Sequence, residues 1–391
     1  MTDLKNLIIS SFCLTGSGGT PSRSKMERYY ENGTIPWVKS GELRESVINK
    51  TEEYVTESAL KESSIKLVPA GAILLAMYGA TVGRLGILGI EATTNQAVCH
   101  IIPDPEIADA RYLFHALSQK VPSLIAKGVG GAQPNINQSI IKELPIFLPP
   151  LPEQRRIAAI LDQADALRAK RREALAQLDK LTQSIFIEMF GDPVTNPKGW
   201  KMSVFGAVCE TRLGKMLDQK QQTGEHTYKY IRNANVQWFR FDLSEVFEMD
   251  FDENARNTFS LKNGDLLICE GGEPGRAAIW RNQITNCYYQ KALHRARPNS
   301  NVAVPEYLMW LLWFLAHRGG LGDHITSATI SHLTGEKLKA MTIPVPPITL
   351  QNQFVVQLAA VDKIKSKHQK SLFELDNLFA SLQHRAFRGE L

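Results

Sequence analysis

LPPLPEQRRIAAILDQADALRAKRREALAQLDKLTQSIFIEMFGDP, residues 148–193, opens on paired prolines and then carries no proline or glycine from Glu153 until Gly191 and Pro193. Proline presets the backbone for a first helical turn, and glycine followed by proline closes a helix. The stretch therefore predicts one long helix over 151–190. A strict heptad places Ile157, Ala164, Arg171, Leu178 and Ile185 at one core position and Ile160, Leu167, Ala174 and Leu181 at the other, with Leu161 and Leu175 widening the stripe. A period of 3.5 sustained over four heptads predicts coiled-coil packing. About 38 residues at 1.5 Å each make a helix roughly 57 Å long.

The helix has a second copy. Residues 347–388 repeat the pattern 197 positions on, with Phe354, Val361, His368, Leu375 and Leu382 in the core, Ile364 and Leu378 on the second seam, and Leu358, Leu372 and Phe379 beside them. Pro149-Pro150 falls over Pro346-Pro347, and Gln154 over Gln351. The duplication extends outward. IPWVKSGEL (35–43) matches YKYIRNANV (228–236). KLVPAGAILLAMYGATVGRLGIL (66–88) matches FSLKNGDLLICEGGEPGRAAIW (259–280), setting Ala70-Gly71 over Asn263-Gly264, Gly79 over Gly271, and Gly83-Arg84 over Gly275-Arg276. The order of blocks is the same in both copies, so the chain is an internal repeat.

Each half begins with short β-like runs, IPWV, AILLAMYG and AVCHII in one, LLICEGG and YQKALHRA in the other. A helical piece follows, ARYLFHALSQ or PEYLMWLLWFLAH. Then comes a proline-flanked strand, LPIFLPP or MTIPVPP, and the long helix. The fold class expected is α+β: two pseudo-symmetric globular domains, 1–148 and 191–345, alternating with helices at 149–190 and 346–391. Antiparallel pairing of the helices buries both seams and holds one globular head at each end. Two heads at a fixed distance suit two half-sites on one DNA duplex.

Composition narrows the function. A net charge of +5 permits a nucleic-acid partner without demanding one. The five cysteines, Cys13, Cys99, Cys209, Cys269 and Cys287, form no CxxC pair, which argues against a zinc site or disulfide framework and for a cytoplasmic protein. No transmembrane run is present. Leu7–Leu14 is too short for a lipoprotein signal core, and Asp3 spoils its leader.

At the proline-to-helix junctions the sequence resembles the specificity subunit of type I restriction–modification systems. GGTPSRSKMERYYENGTIPWVKSGEL is similar to the opening of that family's target-recognition domain. The stretch at 148–193 is similar to its central conserved helix, and IPVPPITLQNQF with the terminal FRGEL to its C-terminal one. The resemblance implies two target-recognition domains, each reading half of a bipartite double-stranded DNA site. It implies a helical rod that sets the spacing and docks two methyltransferase subunits, with restriction/translocase subunits joining them. This chain itself is then non-catalytic and binds no cofactor or metal; S-adenosylmethionine, ATP and Mg are implied for the partner subunits. The second junction departs from the first, with Leu350 in place of Glu153 and Asn352-Gln353 in place of Arg155-Arg156. If those charges touch a partner, the two helices bind it unequally.

The residues agree with the absence of chemistry. The proline pairs lack the preceding Asn or Asp of an adenine-methyltransferase motif. GSGG at 16–19 completes neither GxGxxG nor a phosphate loop and reads as a turn. Asp104 reads as a loop residue rather than a nuclease carboxylate. Trp310, Trp313 and Phe314 share one helical face and read as core. Candidate DNA contacts are of two kinds. Lys39-Ser40 with Arg232-Asn233, and Arg84 with Arg276, recur in both halves and suit backbone positioning. Unlike loops suit base readout: Lys127, Gln133 and Asn135 in the first half, His324, Ser327, Thr329 and Ser331 in the second. Thr20, Ser22, Arg23 and Lys25 join the first set, and Arg212, Lys215 and Lys220 the second. Surface bases beside carboxylates, and ordinary loops, are the structural alternatives. Two other functions stay open on residues alone: a non-enzymatic coiled-coil scaffold binding proteins rather than DNA, and an enzyme with degenerate motifs.

Overall fold

The structure, a computed structural model, describes residues 5–44, 47–127, 135–217, 222–322 and 332–391, with Lys5 and Lys127 by their backbone alone. It divides into two compact units, Met1–Glu173 with Lys370–Leu391, and Ala174–Gln369. Each unit holds one globular half and a stretch of both long helices.

In the first unit the main strands are β1 (Cys13–Ser17), β2 (Ile35–Val38), β3 (Ile73–Ala76), β4 (Leu85–Leu88), β5 (Thr93–Thr94) and β6 (Val98–Pro103). Among the described residues, one sheet runs β1–β6–β3–β4 antiparallel, with Val47–Ile48 added parallel to β4. A smaller sheet pairs β2 with Glu53–Val55 and, in parallel, with β5. Strand β3 reads ILLA because both its faces are covered. Side chains alternate across a strand, so Ile73 and Leu75 join the core under α1 (Ala110–Lys127), while Leu74 and Ala76 pack with Val38, Leu43 and Leu88. The second unit repeats the plan with β7 (Cys209–Leu213), β8 (Thr227–Ile231), β9 (Leu266–Cys269), β10 (Ala277–Ile279), β11 (Tyr288–Tyr289) and β12 (Leu293–Pro298), in the order β7–β12–β9–β10, beside a sheet of Phe247–Asp250, β8 and β11. Helix α3 (Pro305–His317) takes the place of α1, with Trp310 and Phe314 buried in the core and Trp313 half-buried against it, as its sequence predicts. Gly71 and Gly264 both take positive φ in the turn before β3 and β9, the conformation that a Cβ resists.

The long helices are α2 (Leu151–Phe190) and α4 (Ile348–Ala386). Their entries are built alike. Gln154 is buried; its Oε1 accepts from the Asp109 N–H at 2.9 Å, and its Nε2 donates to the carbonyls of Ile107 and Pro149 at 2.9 and 2.8 Å. Gln351 makes the same three bonds to Val304, Val302 and Pro346 at 3.0, 3.0 and 2.8 Å. The Tyr112 and Tyr307 hydroxyls donate to Phe147 and Pro344 carbonyls, each at 2.7 Å. The glutamine thus satisfies backbone groups that the proline turn leaves without partners. Arg155 is exposed, while Arg156 pairs with Glu153 at 2.6 Å and donates to the Leu391 carbonyl.

Within each unit the two helices run antiparallel. In the first, Arg168 pairs with Asp376 at 2.6 Å and Arg156 reaches Leu391. In the second, Lys365 pairs with Asp179 at 2.6 Å, and Phe354 packs on Phe186 and Phe190 at 5.6 and 5.4 Å between ring centroids. At the first core position Ile157, Ala164, Phe354 and Val361 are buried, and Arg171, Leu178, Ile185, His368, Leu375 and Leu382 half-buried. The second seam is corrected in part: Ile160 and Ala174 are half-buried, and its other members are not. Leu167, Leu181, Ile364 and Leu378 are 52%, 46%, 45% and 50% exposed. One residue later, on the side where Leu161, Leu175, Leu358, Leu372 and Phe379 widen the stripe, Leu161, Thr182, Leu358 and Phe379 are buried and Arg168, Leu175, Lys365 and Leu372 half-buried. Arg168 fits there because Asp376 neutralises it and the Phe379 ring lies 4.3 Å from its guanidinium.

Candidate nucleic-acid interface

At one end of each main sheet, hydrogen bonds gather loops that are far apart in sequence. In the first unit the Gly18 and Gly19 amides donate to the Val98 and Thr94 carbonyls at 3.2 and 2.9 Å. The Asn95 amide donates to Val38 at 2.9 Å, Met77 to Ala97 at 2.8 Å, and Ile136 to Met77 at 2.8 Å. These bonds bring together Ile136 and the segments after β1, β2, β3 and β5. The second unit makes the same set: Gly214 to Leu293, Lys215 to Tyr289, Gln290 to Ile231, Glu270 to Ala292 and Leu333 to Glu270, all at 2.7–3.2 Å. Two glycines make this possible, Gly18 of the GSGG turn and Gly214, which the sequence did not single out. A Cβ on Gly18 would stand 2.1 Å from the Thr94 carbonyl oxygen, and one on Gly214 2.3 Å from that of Gln290. Their shared signal was a glycine after a short strand in both halves, hidden by dissimilar neighbours.

The expected contact residues divide by surroundings. Thr20 and Asn135 are exposed at the first rim, where the Thr20 hydroxyl donates to Gln96 Oε1; Ser40 is half-buried in the turn beside it. Arg84 is exposed and, among the described residues, makes no ion pair, whereas its counterpart Arg276 is held by Glu273 at 3.2 Å and donates to the Asn233 carbonyl. Arg23 and Lys39 converge on Glu53 at 2.6 and 2.9 Å, and Lys39 also meets Glu52 at 3.0 Å. Burial works against the Glu53 charge, but hydrogen bonds from Lys39 and Arg23 hold its carboxyl below the usual range. The hydrogen bonds to Glu53 and then Glu52 hold the Lys39 ammonium above its own ordinary value. Ser22 bonds Ser24, and Lys25 bonds the Tyr29 hydroxyl at 3.2 Å.

In the second unit, Arg232 pairs with Glu245 at 2.7 Å and lies 3.5 Å from the Phe247 ring centroid. The Asn233 side-chain Nδ2 donates to the Gly271 carbonyl at 2.8 Å. Lys215 donates to the Asp250 carbonyl at 2.6 Å, and Arg212 is exposed on β7. The recurrent pair Lys39 and Arg232 thus braces a short turn in each unit, its amide donating to Glu42 or Asn235. Gln133, Lys220, His324, Ser327, Thr329 and Ser331, and the side chain of Lys127, lie outside the described residues.

Among the described residues the rim carries hydrogen-bonding and cationic groups, and its nearby thiols are buried. Burial pushes the Cys99 and Cys209 thiols up to about 12, so they stay protonated and inert. Cys13, which ended the short apolar run near the N-terminus, is buried at the start of β1. Among the described residues no cluster of His, Cys, Asp or Glu is placed to hold a metal ion, and no helix is long and apolar enough to cross a membrane.

The family of type I restriction modification DNA specificity domains matches the chain twice, over residues 2–178 and 197–374. The MjaIX specificity subunit of Methanocaldococcus jannaschii is 28% identical over 405 residues, covering 96% of this chain and 90% of its own. The EcoR124I/EcoR124II specificity subunit of Escherichia coli is 32% identical over 171 residues, 42% of each chain. Among solved structures, a chain from a study of type I restriction–modification complex assembly superposes with a TM-score of 0.62 at 19% identity, covering 99% of this chain and 98% of its own. The specificity subunit from M. genitalium gives 0.56 at 16%, covering 99% and 96%.

Proposed function

Since the chain belongs to the type I restriction–modification DNA specificity family, we propose that each of its globular halves reads one half of a bipartite duplex site through the rim at the end of its main sheet. The chain is the recognition component and not the catalyst. One observation carries the reading: the same rim is built twice by equivalent backbone bonds, yet its exposed side chains differ. A fixed frame with unlike contact groups is what two different half-sites call for.

The helices set the gap between half-sites and dock two methyltransferase subunits. The support lies in the exposed seam. The first unit leaves Leu167 and Leu378 in solvent, and the second leaves their repeat equivalents Ile364 and Leu181. Equivalent apolar positions on two equivalent helix pairs offer one docking face per methyltransferase. S-adenosylmethionine, and ATP with Mg, belong to the methyltransferase and translocase partners. A protein-binding scaffold without DNA recognition is not favoured by the family.

The test replaces residues 1–148 with the equivalent domain of a relative in the assembled methyltransferase complex. The methylation motif is then mapped and the methyltransferase subunits counted. One half-site should change, the other should persist, and two methyltransferase subunits should remain. A change in both half-sites would end the idea of independent reading heads. Loss of a methyltransferase would move the docking site to the globular half.

A further inference from the structure

The segment after β5 and its counterpart after β11 form the same four-residue turn. Asn95-Gln96-Ala97-Val98 is closed by the Val98 amide on the Asn95 carbonyl at 3.1 Å, and Gln290-Lys291-Ala292-Leu293 by Leu293 on Gln290 at 3.2 Å. Each turn is pinned on both sides. Its first amide donates to the last residue of β2 or β8, and its third carbonyl accepts from Met77 or Glu270. Gln96 and Lys291 therefore occupy one structural position, the second residue of a braced turn in the middle of the rim. Both side chains are exposed. Thr20 donates to Gln96 Oε1, which orients the carboxamide and leaves its Nε2 hydrogens and one Oε1 lone pair for a ligand. Lys291 makes no ion pair among the described residues.

We infer that Gln96 and Lys291 are equivalent base-reading residues: Gln96 contacts an adenine in the half-site of the first unit, and Lys291 a guanine in that of the second. The chemistry assigns the bases. A carboxamide donates to adenine N7 and accepts from its N6 amino group, whereas an ammonium donates to guanine O6 and N7. The braced turn matters because a side chain reads a base edge only when its backbone is held in place. Every anchoring contact is backbone to backbone, so the side chain can differ between the halves without disturbing the frame. The inference rests on the reading that each rim recognises a half-site.

The experiment uses the full chain assembled with its methyltransferase subunits. Methylation motifs are mapped for the parent, Gln96→Lys, Gln96→Ala, Lys291→Gln and Lys291→Ala, and the domain exchange above assigns each half-site to its unit. Gln96→Lys should convert one adenine of the first half-site to guanine and leave the second half-site intact. Lys291→Gln should do the reverse. Each alanine variant should relax that single position, with discrimination falling about ten- to hundredfold. Competition binding with duplexes substituted at each position reads the same change where methylation is lost, and the untouched half-site reports that the chain is folded. An unchanged motif in both exchange variants overturns the inference. So does a loss of affinity equal for all sequences with a salt dependence reduced by about one ion, the mark of a phosphate contact. A parent complex with no bipartite motif would instead overturn the half-site reading itself.

Discussion

At the end of β3 and β9 away from the rims, the two units fill one place in their sheets with opposite chemistry. Where the first unit has Ala72 and Ile102, just before β3 and on β6, the second has Asp265 and Arg297, just before β9 and on β12. Asp265 is 1% exposed and grips Arg297 through two bonds of 2.7 and 2.8 Å; it also accepts from the Lys262 amide. Likewise His115, which bonds Asp162 at 2.8 Å on α1, has Trp310 as its counterpart on α3. Yet the glutamine clamps, the tyrosine hydroxyl bonds and the rim amides match throughout. Backbone frame and side-chain filling have diverged separately: the frame depends on hydrogen bonds that tolerate few substitutes, while a filled volume can be made apolar or ionic.

The comparison can be broken most sharply at Asp265. Asp265→Ala should destabilise the second unit by about 3 kcal/mol, the low end for a broken buried pair because Arg297 keeps part of its surface in water. Copying the first unit with Asp265→Ala and Arg297→Ile together should recover most of the loss. Hydrogen exchange resolved along the chain measures both, and a double variant no better than the single one would mean that the ion pair holds more than its own volume.

The matched frame predicts equality. Gln154→Ala and Gln351→Ala each strand one amide and two carbonyls, and each should cost its own unit about 2 kcal/mol. Costs differing more than twofold would show that the clamps are not equivalent.

The smallest effect is with pH. Burial holds His100 and His115 in the first unit, and His294 in the second, below the ordinary imidazole value. For His115 this holds despite the hydrogen bond and charge of Asp162, which act in the opposite direction. The unfolded chain then takes up protons at a higher pH than the folded one. Stability should fall as pH drops below about 6.5, by at most about 1.4 kcal/mol per pH unit for each histidine, and level off once the folded imidazoles protonate. The first unit should lose about twice as much as the second, and His115→Gln should bring the two slopes together. Equal slopes in the parent would count against this assignment.

Much of the architecture was legible from residues alone. The proline-started helices, the repeat, the turn glycines Gly71 and Gly264 and the apolar face of α3 all follow from local rules of backbone and periodicity. The candidate site was legible only in part. Thr20, Ser40 and Asn135 do lie at the rim, and Gly18 lies in the GSGG turn, but Gln96, Lys291 and Gly214 came from pairing between strands distant in sequence. For Lys39, Arg232 and Arg276 the sequence left DNA contact and a neighbouring carboxylate equally open, because Glu53, Glu245 and Glu273 meet them only in the folded chain.

The long helices divide the two kinds of information most clearly. Sequence by itself determined that they exist, where they start and that Ile157 and Phe354 head a heptad seam. It placed Ile160, Leu167, Ala174 and Leu181 on the second seam, with Leu161 and Leu175 widening the stripe, and gave no place to Arg168 or Thr182. Tertiary structure left Leu167 and Leu181 exposed and covered Arg168 and Thr182. Tyr112 and its neighbours on α1 share the first unit's core with Leu161, Asp376 and Phe379 accept Arg168, and Asp179 accepts Lys365. Periodicity belongs to one helix, but which side of its stripe is covered depends on the groups that pack there, and an opposite charge or a ring from another segment can make a base the better fit.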